Sequence, residues 1–208
     1  MTMTTCAQYL FIFLLTLLWQ PIQLVGCYLP PTVLPECHCK EGLEGLTIRC
    51  TKLNSTSYLS HLHVDTAQAV VRVDIMDSLV DCVDLKDLER FHKLKHLKVT
   101  NSKLRHVLCP RPGWYRAVIN NLEGIRTLDV SNNFLGSLDP RLESSTQLEQ
   151  INLSNNEFYQ LSPIVLTFTN LKSLDISNNQ LSDTMDQNIL ENLPSSLQNL
   201  DLTGRLSS

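Results

Sequence analysis

The side chains in this chain best suited to chemistry are its seven cysteines and six histidines. Cys37, His38, Cys39, Cys50, His61 and His63 fall close together, and thiolates with imidazoles are the donor set of structural zinc. Cys-x-Cys without a second closely spaced cysteine pair fits a tetrahedral site poorly, however. The other chemistry open to these thiols is oxidation, which depends on the compartment. Tyr9 to Trp19 is an uncharged apolar run, shorter than the roughly 20 residues a helix needs to cross a bilayer. It reads as the core of a secretory signal peptide occupying residues 1–26, although Met1 to Ala7 carries no Lys or Arg. Leu24-Val-Gly-Cys27 also has the form of a bacterial lipoprotein processing site, a rival use of Cys27. Removing the signal discards Cys6 and leaves six of the seven cysteines: Cys27, Cys37, Cys39, Cys50, Cys82 and Cys109. An even number in an exported chain favours disulfides over metal, so neither a metal nor a cofactor is expected. His61-Leu-His63 then reads as an exposed edge beside the cysteine-rich segment.

Other catalytic patterns are missing. The sequence has no Gly-rich phosphate loop, no nucleophile elbow and no His-Glu-x-x-His helix, so no catalytic residue is assigned and the chain is read as a non-enzyme. Its formal charge is −4 and its basic residues are dispersed, which argues against nucleic acid as a partner. No second hydrophobic segment follows the signal, so the mature chain is read as having no transmembrane segment.

The elements come from a repeat. Ile125 to Leu135, Leu148 to Phe158 and Leu171 to Leu181 obey the template L-x-x-L-x-L-x-x-N-x-L, with Asn133, Asn156 and Asn179 in its ninth position. Val70, Val73, Ile75, Ser78 and Val80 fit the same frame, as do Leu94, Leu97, Val99, Ser102 and Leu104, with Ser in place of Asn. A last unit starts at Leu197, with Leu200 and Leu202, and places Arg205 where Asn is expected. Apolar residues at positions four and six alternate with polar neighbours, the period-two pattern of a short strand buried on one face. The Asn should turn inward and satisfy backbone groups of adjacent coils; the shorter Ser does so less completely, making the first two units less regular. This predicts an α/β solenoid, a leucine-rich repeat horseshoe with short parallel strands on its concave face and loops and short helices on its convex face. Residues 70–208 hold about six repeats, the last incomplete. Residues 27–69 are read as a Cys-rich N-terminal cap and entry segment, and Asp186 to Leu193, stopped by Pro194, as a convex-side helix.

Cys37-His-Cys39 followed by Ile48-Arg-Cys50 resembles the N-terminal cap of extracellular animal leucine-rich repeat proteins, the group that includes Toll-like receptors, Slit and the small leucine-rich proteoglycans. That resemblance implies pairing of Cys27 with Cys39 and of Cys37 with Cys50. It also implies a secreted module that binds an extracellular protein ligand or receptor in adhesion or signalling. The alternatives are a structural matrix component, or a truncated product of a longer receptor with little function of its own. The C-terminal cap of such proteins is not found here, and the uncovered Leu197, Leu200 and Leu202 offer a surface for homodimerisation. Cys82 and Cys109 fall on the returning side of neighbouring coils, where a disulfide is expected and free buried thiols are the alternative.

Template position assigns the binding face. Position three supplies Arg72, His96, Thr127, Gln150, Ser173 and Asn199; position five supplies Asp74, Lys98, Asp129, Asn152, Asp175 and Asp201. The face is basic around Arg72, His96 and Lys98 and acidic toward the later coils, a separation that can orient a charged protein. A loop in the long second coil holds Arg111, Trp114, Tyr115 and Arg116, residue types enriched at interfaces, and is read either as a second contact site or as packing beneath the loop. Glycosylation sequons stand at Asn54 and Asn152, the second on the concave face.

Overall fold

A computed structural model describes residues 36–61, 64–110, 122–182 and 187–204. Eight strands form one sheet in chain order: β1 Cys37–Glu41, β2 Leu46–Thr51, β3 Val70–Met76, β4 His96–Thr100, β5 Thr127–Asp129, β6 Gln150–Asn152, β7 Ser173–Asp175 and β8 Asn199–Asp201. Strands β1 and β2 pair antiparallel, and every later neighbour is parallel. Parallel pairing forces each strand to return across the convex side before the next begins. The returns carry short helical turns: Thr56–His61, Leu85–Leu88, Pro140–Ser144, Pro163–Thr167 and Gln187–Glu191. The last of these lies within the expected convex helix; Asp186 is outside the described residues.

Alternation decides which side is core. Val73, Ile75, Leu97, Val99, Leu128, Val130, Ile151, Leu153, Leu174 and Ile176, the fourth and sixth template residues, are all buried. Phe91, Phe158 and Phe168 fill the space between the sheet and the returning segments. On the outermost strand, Leu200 remains 38% exposed.

The asparagines stitch coils together. Asn133 accepts from the backbone N–H groups of Ser102 and Leu104 and donates to the carbonyls of Val99, Val130 and Ser131. Asn156 accepts from Leu135 N–H and donates to Val130, Leu153 and Ser154; Asn179 repeats the pattern with Phe158, Leu153, Ile176 and Ser177. Ser78 does less, donating to the Met76 carbonyl and accepting from Leu53 N–H. Ser102 likewise donates to Thr100 and accepts from Ser78 N–H. The irregularity expected of these two coils does not reach their strands, since β3 and β4 span seven and five residues against three in β5 to β7. Just before each ninth position the chain enters the left-handed region, at Asp77, Asn101, Asn132, Asn155 and Asn178. Asparagine and aspartate tolerate that conformation, and it turns the chain off the strand.

Two disulfides tie the early coils. Cys37 and Cys50 lie opposite each other on β1 and β2 and are bonded, closing the cap hairpin over the first coil. Cys82 is bonded to Cys109, beside a parallel bridge between Val83 and Leu108, so consecutive returning segments are joined. Cys39 is also disulfide-bonded. Its expected pairing with Cys27, like the signal segment and the loop with Arg111, Trp114, Tyr115 and Arg116, lies outside the described residues.

Candidate functional site, the concave ladder

Strand register brings the position-three residues into one row. Arg72 pairs with His96, His96 with Thr127, Thr127 with Gln150, Gln150 with Ser173 and Ser173 with Asn199. A second row runs Asp74, Lys98, Asp129, Asn152, Asp175 and Asp201. Both rows continue into the cap: Thr47 and Arg49 of β2 pair with Arg72 and Asp74, and Lys40 and His38 of β1 pair with Thr47 and Arg49. These four residues were missed in sequence because Gly45 and Leu53 replace Leu and Asn in that coil. The alternation of Leu46, Ile48 and Cys50 was the signal that could have found them.

The second row is less available than its charges suggest. The Asp74 side chain is 1% exposed and accepts from both Arg72 Nε at 2.8 Å and Arg49 Nη2 at 3.3 Å. The expectation of a solvated, ligand-facing Asp74 is therefore corrected: its carboxylate lies beneath two guanidinium groups. Lys98 Nζ stands 2.8 Å from Asp129 Oδ2, so this pair is matched internally. Asp129, Asn152, Asp175 and Asp201 each accept, through Oδ1, from the backbone N–H and the hydroxyl two residues on, at Ser131, Ser154, Ser177 and Thr203. Their repeated Asp/Asn-x-Ser/Thr spacing signals an Asx-type turn that holds the strand end. At Asp201 the Thr203 side-chain hydrogen bond, followed by the Thr203 backbone bond, holds the carboxyl below its usual range.

A third row at the rim also escaped the template reading. Lys95, Arg126, Glu149 and Lys172 occupy the second position of their units. Lys95 reaches Glu44 at 3.1 Å and Lys172 reaches Glu149 at 2.7 Å. Both carboxyls are lowered, chiefly by the hydrogen bond from the paired lysine and next by that lysine's charge. Exposed Arg126 stands between the two pairs. It lines a hollow of about 610 Å³ on the concave face, together with Arg72, His96, Thr127, Gln150, Asn152, Ser173 and Asp175. Arg126 also lines a second hollow of about 320 Å³ with His92, Lys93, Lys95 and Gly124. His96 Nδ1 lies 2.8 Å from Thr127 Oγ1. Burial, followed by the charge of Arg72, pushes the His96 pKa below its ordinary value, favouring a neutral ring.

Among the described residues, no group of three or more His, Cys, Asp or Glu is arranged to hold a metal ion, and no helix is long and apolar enough to cross a membrane. His61 is exposed at the end of its helical turn; His63 lies outside the described residues. Asn54 is exposed on a bend, and Asn152 is half-buried in the larger hollow.

A one-sided stack of parallel rungs, closed at its first end by a disulfide-bonded hairpin and threaded by buried asparagines, is a leucine-rich repeat horseshoe. A family model described as Leucine Rich Repeat matches residues 170–200. No curated protein sequence matches the chain. Among solved structures, a leucine-rich repeat protein of Leptospira interrogans aligns with 73% of this chain and 35% of its own length, at 24% identity and a TM-score of 0.57. The ectodomain of the Arabidopsis thaliana membrane receptor kinase GASSHO1/SCHENGEN3, solved with Casparian strip integrity factor 2, aligns with 69% of this chain and 17% of its own, at 22% identity and a TM-score of 0.51. The TLR13–ssRNA13 complex aligns over 74% and 23%, at 17% identity and the same TM-score of 0.51. At these identities the shared property is the fold. The chain spans only 35% and 17% of the length of the first two.

Proposed function

We propose that the chain is an exported protein-binding module whose concave strands recognise another extracellular protein in adhesion or signalling. The observation that carries this reading is the uninterrupted polar ladder around the larger hollow, about 610 Å³ in volume. The first row divides: Arg72 covers Asp74 and Thr127 bonds His96, whereas Gln150 and Asn199 are exposed and Ser173 is half-buried. A rigid sheet carrying such a row presents side chains at fixed spacing, the preorganisation that recognition needs. The receptor kinase ectodomain above was solved in complex with Casparian strip integrity factor 2, and a binding role of that kind suits this reading. Export fits the disulfides Cys37–Cys50 and Cys82–Cys109, which persist in oxidising compartments. Under this reading Asn54 carries a glycan away from the face, whereas a glycan on Asn152 would obstruct it.

The test is a screen of the secreted full chain, presented as a multivalent reagent, against a panel of extracellular protein ectodomains. Gln150→Trp, which fills the hollow from an exposed position, should abolish any specific hit, while the convex substitution Glu143→Trp should leave it intact. Hits lost with Glu143→Trp and retained with Gln150→Trp would overturn the concave reading in favour of a matrix component bound through its convex side.

A further inference from the structure

The charges on the concave face do not cancel uniformly. Lys95, Lys98 and Lys172 are held by Glu44, Asp129 and Glu149. Arg49 and Arg72 share the single carboxylate of Asp74, which leaves one positive charge over. Arg126 and Lys93 make no ion pair among the described residues, and each lines a hollow. Glu44 and Glu149, whose carboxyls feel the charge of Arg126 after that of their own lysines, are already engaged by Lys95 and Lys172. The unmatched cations gather where the two hollows meet, and guanidinium groups take carboxylates in two-pronged hydrogen bonds.

We propose that this basic pole is a binding site for an acidic linear peptide segment, which sets carboxylates against Arg72 and Arg126 in the larger hollow and continues over Arg126 toward Lys93. The inference rests on the concave-face reading above and names the chemistry of its partner. A peptide fits better than a sulfated polysaccharide because Asp175, which makes no ion pair among the described residues, lines the same hollow beside the already paired Asp129 and Glu149, leaving no row of free cations for a dense polyanion. Isolated carboxylates separated by neutral residues need no such row, and Thr127, Gln150 and Ser173 supply hydrogen bonds for a peptide backbone. The far end of the ladder sets the polarity of the segment. Asp175 lies two rungs beyond β5, about 10 Å across the sheet at the usual strand spacing and three residues further along the strand than Arg126, and favours a basic residue there.

The test pans a phage-displayed library of random linear peptides on the full secreted chain, then measures the selected peptides by fluorescence anisotropy. The expected result is enrichment in Asp and Glu, binding weakened at least about tenfold by Arg126→Glu, and a smaller loss with Lys93→Glu. Both substituted positions are exposed, so thermal melting of the variants should match the parent. Peptides blocked by Gln150→Trp but neither acidic nor sensitive to Arg126→Glu overturn this inference and leave the concave reading standing. Peptides indifferent to Gln150→Trp overturn both. A heparin-derived oligosaccharide that binds through Arg126 where no acidic peptide is selected also overturns the inference, assigning the pole to a sulfated sugar.

Discussion

The coils around β3 and β4 and those around β5 to β7 share one cross-section yet are held by different means. In the later coils Asn133, Asn156 and Asn179 each link neighbouring turns of chain through several buried hydrogen bonds, and strands of three residues suffice. The earlier coils have Ser78 and Ser102 in those places, with fewer bonds each. They compensate with longer strands, the bonds Cys37–Cys50 and Cys82–Cys109, and a buried carboxylate under two arginines. The difference teaches that the repeat template specifies a shape and leaves open which interactions secure it. The basic pole draws on both halves: Arg72, one of the two arginines that cover Asp74, belongs to the earlier coils, and Arg126 to the first of the later ones.

Substitutions that remove one means of support at a time sharpen this contrast. Cys82→Ala with Cys109→Ala opens a crosslink spanning 27 residues and should cost about 3.5 kcal/mol by loop entropy, read from denaturant unfolding. Little change would mean that the long strands already secure the early coils. Asn156→Ala should follow at about 3 kcal/mol, because buried carbonyls of two coils lose their donor together. Ser102→Ala should cost only about 1 kcal/mol, and equal losses at the two sites would break the distinction between the halves. Arg49→Ala combined with Arg72→Ala strands the Asp74 carboxylate. The cost is about 2 kcal/mol once the arginines' exposures of 58% and 40% are discounted, and Asp74→Asn in the same background should recover part of it.

The later half was the more legible in sequence. Asn133, Asn156 and Asn179 sit at a fixed offset from apolar positions whose period only a half-buried strand satisfies, so register and both concave rows followed directly. The first coil was hidden because Gly45 and Leu53 stand at two of its template positions, and the cap strands were read as a segment outside the stack. Residue type at position five was a poorer guide to role than position itself. Asp129, Asp175 and Asp201 look like solvated ligand groups, yet each closes a turn with the Ser or Thr two residues later, and Asp74 is buried. Pairing between rows cannot be read along the chain: Lys95 finds Glu44, 51 residues away, only because the cap folds beside its coil.

The smallest expected effect separates the halves by pH. Burial first and Arg72 second lower the His96 pKa below its ordinary value of 6.5. Above that pH both the folded and unfolded chains hold a neutral ring, and His96 leaves stability unchanged. As the pH falls through 6.5, the unfolded chain takes up a proton that the folded chain resists, so stability declines until the folded ring is protonated as well. The lowered carboxyls, Glu44 and Glu149 from 4.5 and Asp201 from 3.8, act with the same sign only in a more acidic window. Thermal midpoints compared between neutral and mildly acidic buffer, above the carboxylate window, should therefore fall less for His96→Gln than for the parent. In the Arg49→Ala, Arg72→Ala background the contribution of His96 should shrink but persist, since burial is the larger cause. Its complete loss there would show that the arginine field, not the packing around Thr127, keeps this ring neutral.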